Sequence, residues 1–138
     1  MAVPVRGAKD MLAGMSPTLI DGDFAFCSTD DPGLAARAKT HAIGWFREVE
    51  GVSLILPLSE AAALGFDCAA PMRQITLSVY SALDGVGLTA AVAAELAEHD
   101  IPCNMVAAFH HDHVFVPRHL AEQARHLLLA LQGRAAAT

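Results

Sequence analysis

The stretch Gln74-Ile-Thr-Leu-Ser-Val-Tyr80 alternates apolar and polar residues, as a strand with one buried face does. Ile75, Leu77 and Val79 point to one side of it, and Gln74, Thr76, Ser78 and Tyr80 to the other. A glycine-marked turn comes next, Asp84-Gly-Val-Gly-Leu-Thr89. It runs directly into an amphipathic helix over 88–99, with Leu88, Val92 and Leu96 on one face. A hairpin is expected after it: strand 103–109, a turn at His110-His-Asp-His113, and strand 114–117. A last helix over 119–132 places Leu120, Ala124, Leu127, Leu128 and Leu131 on one stripe. Strand, helix, hairpin, helix is a βαββα unit.

Toward the N-terminus the same order recurs. Lys9-Asp-Met-Leu-Ala-Gly14 reads as a short opening helix, and 17–20 and 23–27 as strands across an Asp21-Gly22 turn. Asp30-Asp-Pro-Gly33 interrupts the chain, and 34–41 reads equally as a short helix or a mobile loop. A second hairpin pairs 43–49 with 52–56 across Glu50-Gly51, and Pro57 stops it. The helix 59–64 takes Ser59 as its N-cap and Gly65 as its stop. Asp67-Cys-Ala-Ala-Pro71 is the one plausible linker, dividing the chain into halves 1–70 and 71–138, and the tail after Gly133 is expected to fray. The fold class is therefore α+β: two βαββα units in tandem, with helices on one face of an antiparallel sheet. A split βαβ sandwich needs a fourth strand per unit, and neither half has one after its last helix. Either the halves supply strands to each other, or sheet edges pair between subunits.

The bulk numbers set limits on function. With 54% hydrophobic and 17% charged residues in 138, the chain can bury a sizeable core. The net charge of -6 and the lack of a Lys/Arg cluster argue against nucleic acid. No apolar run is long enough to span a membrane, and the first residues lack the long apolar region of a signal peptide. Cys27, Cys68 and Cys103 are odd in number with no CxxC pair, which suits reduced thiols in the cytoplasm.

The turn at Asp84, Gly85, Val86, Gly87, Leu88 and Thr89 is the candidate ligand site. Its glycines allow close backbone approach, and N–H groups at a helix start can receive a carboxylate. Thr89 can add a hydroxyl; Asp84 can accept an ammonium group or simply cap the helix. An ordinary tight turn remains the plain alternative. Asn104, on the neighbouring strand, can both donate and accept, or can bond nearby backbone instead. His110, His111, Asp112 and His113 carry metal-ligand chemistry, but neighbouring strand residues alternate faces and cannot all converge on one ion. No metal site is assigned to them. Cys103 is expected mid-strand as an inert buried thiol, Arg47, Glu48 and Glu50 as a solvated edge, and Trp45 and Phe46 as core or interface.

Three groups of residues carry a resemblance: Leu83-Asp-Gly-Val-Gly-Leu-Thr-Ala90; Ile101-Pro-Cys-Asn-Met-Val-Ala107 with His111-Asp-His-Val-Phe-Val-Pro117; and, earlier in the chain, Leu12-Ala-Gly-Met-Ser-Pro17, Asp23-Phe-Ala-Phe-Cys27 and the run from Trp45 to Pro57. Together they resemble the small tandem ACT-domain proteins of bacteria, a family long without an assigned function. The His-Asp-His-Val-Phe-Val-Pro string is the most specific part. The resemblance implies a ferredoxin-like ACT architecture in two copies. It also implies regulatory amino-acid binding through the turn between first strand and first helix, often at a subunit or domain interface. The chain is expected to differ from most ACT proteins in carrying no enzyme domain alongside. The expected function is a stand-alone regulatory binding protein for a small effector, an amino acid by preference. It is expected to be non-catalytic, without a cofactor, homo-oligomeric and cytoplasmic, acting on neither membrane nor nucleic acid. The rivals are a metal-binding protein or enzyme using His111, Asp112 and His113, and a protein–protein interaction module.

Overall fold

The structure, a computed structural model, describes residues 7–79 and 85–137. In chain order the elements are α1 (Ala8–Ala13), β1 (Thr18–Leu19), β2 (Phe24–Thr29), α2 (Pro32–Lys39), β3 (Gly44–Arg47), β4 (Val52–Pro57), α3 (Leu58–Ala63), β5 (Met72–Leu77), α4 (Leu88–Glu98), β6 (Asn104–Ala107), β7 (Asp112–Pro117) and α5 (Ala121–Ala137). A single 3-10 turn, Arg118–Leu120, introduces α5. The chain forms two compact units: Asp21–Met72, and the residues up to Ile20 together with Arg73–Thr138.

In the unit Asp21–Met72 the strands lie in the order β3-β4-β2, paired antiparallel. Met72, the first residue of β5, stands opposite Phe24 and fills the fourth position. Ala25, Cys27, Leu54 and Leu56 on one sheet face pack against Ala38 of α2 and Ala61 of α3. Alanine at both helix contacts lets the helices sit close to the strands. The helix α3 ends in a left-handed turn at Gly65, with Phe66 N–H bonded to Ala61 O at 2.9 Å.

The other unit has the strand order β1-β5-β7-β6. Here β1 takes the place that a strand after α5 would have filled, pairing antiparallel with β5 through Thr18↔Thr76 and Leu19↔Ile75. The expected hairpin of 17–20 with 23–27 therefore does not form; the backbone groups of β1 are spent on β5. The helix α1 goes with its strand: Met11 and Met15 are buried in the core of this unit, and Gln132 Nε2 donates to Ala13 O at 2.9 Å. Ile75, Leu77, Val114 and Val116 meet Val92 and Leu96 of α4 and Ala124 and Leu128 of α5, so these helices cover one sheet face. Each of the larger buried side chains contributes on the order of 1.5–3 kcal/mol. The helix α4 closes with Asp100 at φ 58, Asp100 N–H on Ala97 O and Ile101 N–H on Leu96 O, both at 3.0 Å.

Several local expectations need correction. Ser59 lies inside α3, whose N-cap is Pro57 with no side-chain bond. Residues 34–41 are helical for the most part, because Asp31 caps α2 and Pro32 begins it. The helix α5 runs on through Gly133 to Ala137 and does not fray there. Trp45 and Phe46 are 47% and 73% exposed, so neither is core; Lys39 Nζ lies 4.0 Å from the Trp45 ring centroid. Tyr80 and Asp84 lie outside the described residues.

Candidate functional site

The helix α4 starts at a glycine that no other residue replaces easily. Gly87 is its N-cap at φ 112, and Ala91 N–H bonds Gly87 O at 3.0 Å to close the first turn. Glycine supplies the left-handed backbone but no capping side chain, and α4 has no side-chain cap bond. A Cβ on Gly87 would come within 2.7 Å of the Ala8 methyl, so α1 packs directly against the turn. Leu88 is buried in the core, while Val86 and Thr89 are exposed. The start of α4 is thus anchored by Leu88 and approached by Ala8, with Thr89 on the open side.

The corresponding helix start in the first half is built differently. Only residues 30–31 separate β2 from α2, against 78–87 between β5 and α4. Asp31 is the N-cap of α2, and its Oδ1 accepts from Gly33 N–H at 2.9 Å and Leu34 N–H at 3.4 Å. A carboxylate of the chain itself already holds the N-terminus of α2. Asp31-Pro32-Gly33 is a legible signal for this, since Asp before Pro marks a helix start.

Asn104 stands opposite Phe115 in the β6–β7 ladder and donates from Nδ2 to Phe115 O at 3.3 Å. No described hydrogen bond joins it to residues 85–89. The hairpin turn falls at 108–111, closed by Ala108 N–H to His111 O at 3.1 Å, and not at 110–113. Asp112 and His113 are therefore strand residues on opposite sheet faces, Asp112 buried and His113 half-buried. His113 Nδ1 lies 3.1 Å from Gln74 Nε2 and 3.0 Å from Thr76 Oγ1. Burial, followed by the neighbouring His111, lowers its proton affinity, with Asp112 opposing. His111 Nδ1 lies 3.3 Å from Val79 O, at the exit of β5. Among the described residues no group of three or more His, Cys, Asp or Glu could hold a metal ion.

The thiols sit in apolar surroundings. Cys103 immediately precedes β6, packs on the core and is raised by burial. Burial, then Cys68 and Asp67, push Cys27 up to about 11. Both are thiols at neutral pH and poor nucleophiles there. Among the described residues no helix is long and apolar enough to cross a membrane.

Residues 7–73 match one model of an ACT domain and residues 69–130 match another. A Vibrio cholerae protein of unknown function, described as a possible transport protein, is 38% identical in sequence with a TM-score of 0.78, over 90% of this chain and 94% of its own. An Agrobacterium tumefaciens protein aligns with TM-score 0.66 at 17% identity, over 84% and 87% of the two chains. The regulatory subunit of aspartate kinase from Thermus flavus shares the fold with TM-score 0.57 at 11% identity, over 83% and 95%. No curated protein matches the chain.

Proposed function

Since the chain belongs to the ACT-domain family and carries two such domains in tandem, we propose that it is a stand-alone regulatory protein that binds a free amino acid and performs no chemistry on it. The observation that carries the reading is the contrast between the two helix starts. Asp31 occupies the anion position of α2, whereas α4 has glycine at its N-cap and, among the described residues, no side-chain cap. A ligand α-carboxylate bound there does for α4 what Asp31 does for α2. The proposed site comprises Asp84, Gly85, Val86, Gly87, Leu88 and Thr89, with Asp84 as the partner of the α-ammonium group. Asn104 belongs to it through its acceptor oxygen, because its Nδ2 is engaged by Phe115. We read the repeats as 1–70 and 71–138, and the protein as cytoplasmic. It acts as a homodimer or larger closed oligomer, for which exposed Trp45 and Phe46 on β3 are the supporting surface.

A thermal-shift screen of the twenty amino acids and the common divalent metals tests the reading. The expected result is a concentration-dependent rise with one or a few amino acids; saturation at a hundred times Kd stabilises by about 2.7 kcal/mol. A response to metals alone, or to nothing, refutes it. Sedimentation at micromolar concentration showing only a 14.5 kDa species refutes the oligomer.

A further inference from the structure

We propose that His111 is a positioning residue for the α4 turn, acting from the β6–β7 hairpin through the exit of β5. This rests on the assignment of that turn as the ligand site. Val79 O can only accept, so the imidazole Nδ1, 3.3 Å away, is the donor. His111 is itself fixed, because its carbonyl accepts Ala108 N–H at 3.1 Å and closes the hairpin turn.

On the same stretch, Ser78 N–H donates to Met15 O at 2.7 Å. The chain leaving β5 is therefore held by two hydrogen bonds, one from each flank: Ser78 to the segment after α1, and Val79 to His111. Where the chain re-enters regular structure, Gly87 rests against Ala8. These three contacts hold the described residues on either side of the turn, Ser78 and Val79 before it and Gly87 after it. A ligand held by backbone N–H groups depends on that placement, since backbone donors cannot reorient independently of the chain. No described hydrogen bond joins His111 to residues 85–89, and it acts through Val79.

The test is amide hydrogen exchange on the full chain without added ligand. Ser78 and Ala91 are the reporters, since their N–H groups bond Met15 O and Gly87 O. Ile101, bonded to Leu96 O at the far end of α4, is the control. His111→Ala is expected to lower protection of Ser78 and Ala91 by about tenfold and leave Ile101 unchanged. His111→Asn, whose carboxamide N–H can reach the same carbonyl, is expected to restore it. Unchanged reporters in His111→Ala, an equal loss at Ile101, or failure of His111→Asn to rescue would each overturn the proposal. The amino-acid screen decides the ligand reading separately, because the exchange experiment contains no ligand.

Discussion

The two helix starts solve one electrostatic problem in opposite ways. In α2 the first turn is satisfied from within, by Asp31 on Gly33 and Leu34 N–H, after a connection of only two residues, 30–31. In α4 the connection is longer, and the capping position is a glycine at φ 112. A side chain that caps its own helix leaves no room for a ligand carboxylate; a glycine there makes the helix depend on its surroundings. A repeated fold therefore need not repeat its site. One copy caps its helix with its own aspartate, and the other has a glycine at the same place.

The largest effect that tests this contrast is expected at Gly87. Gly87→Val sets a branched side chain at positive φ and drives its Cβ into Ala8. A loss of about 2–3 kcal/mol in urea denaturation is expected from backbone strain and overpacking together. This loss arises without any ligand, so the variant cannot by itself report on binding. A Gly87→Val protein as stable as the parent would show that α1 does not rest on the turn as described.

Thr89→Asp is the cleaner probe. It places a carboxylate in the first turn of α4, imitating what Asp31 does for α2. Helix stability should hold or rise by about 0.3–1 kcal/mol through the helix dipole. Affinity for the amino acid found in the screen should fall about tenfold, or 1.4 kcal/mol, by calorimetry. Unchanged affinity would place the ligand elsewhere. In the first unit, Asp31→Ala should cost about 1 kcal/mol of stability with no change in ligand affinity. If ligand binding weakened with it, the contrast between the two starts would collapse.

The smallest effect concerns pH. The folded protein holds His113 below its ordinary value of 6.5, burial being the main cause. The unfolded chain then binds this proton more readily than the folded one. The corresponding stability is present above about pH 6.5, is lost progressively as pH falls below that value, and levels off once folded His113 is itself protonated. His113→Gln should flatten the melting-temperature slope over that acidic window. An unchanged slope would assign the pH dependence to other groups.

The core of the second unit is legible in the sequence because its signals are local. Ile75, Leu77 and Val79 alternate, Leu88, Val92 and Leu96 recur at helical spacing, and all six are buried. The features that the sequence does not reveal are set by distant contacts. Nothing in Thr18-Leu19 states that its partner is Thr76-Ile75 and not the strand beginning at Phe24. Gly87 reads as a ligand approach, and its contact with Ala8 depends on a helix far earlier in the chain. Ser59 is a reasonable cap, but Pro57 already sets the turn into α3 and leaves Ser59 within the helix. The hairpin turn is misplaced because four polar residues, His110 to His113, look like a loop, although Asp112 and His113 continue the β7 ladder.

The placement of α1 and β1 bears on the order in which the chain can fold during synthesis. The first unit, Asp21–Met72, is one contiguous stretch and can fold as soon as it leaves the ribosome. The second cannot close then, because its opening segment emerges first and its partners last. The bond from Gln132 to Ala13 spans 119 positions, and β1 must wait for β5. Met11 and Met15, buried at the end, remain without their final partners for most of translation. Long-range closure of this kind slows folding, so the rate-limiting step should be docking of the N-terminal segment onto an already formed β5–α5 body. A version of the gene that starts at residue 21 and appends residues 7–20 after α5 would make that contact local and should fold faster.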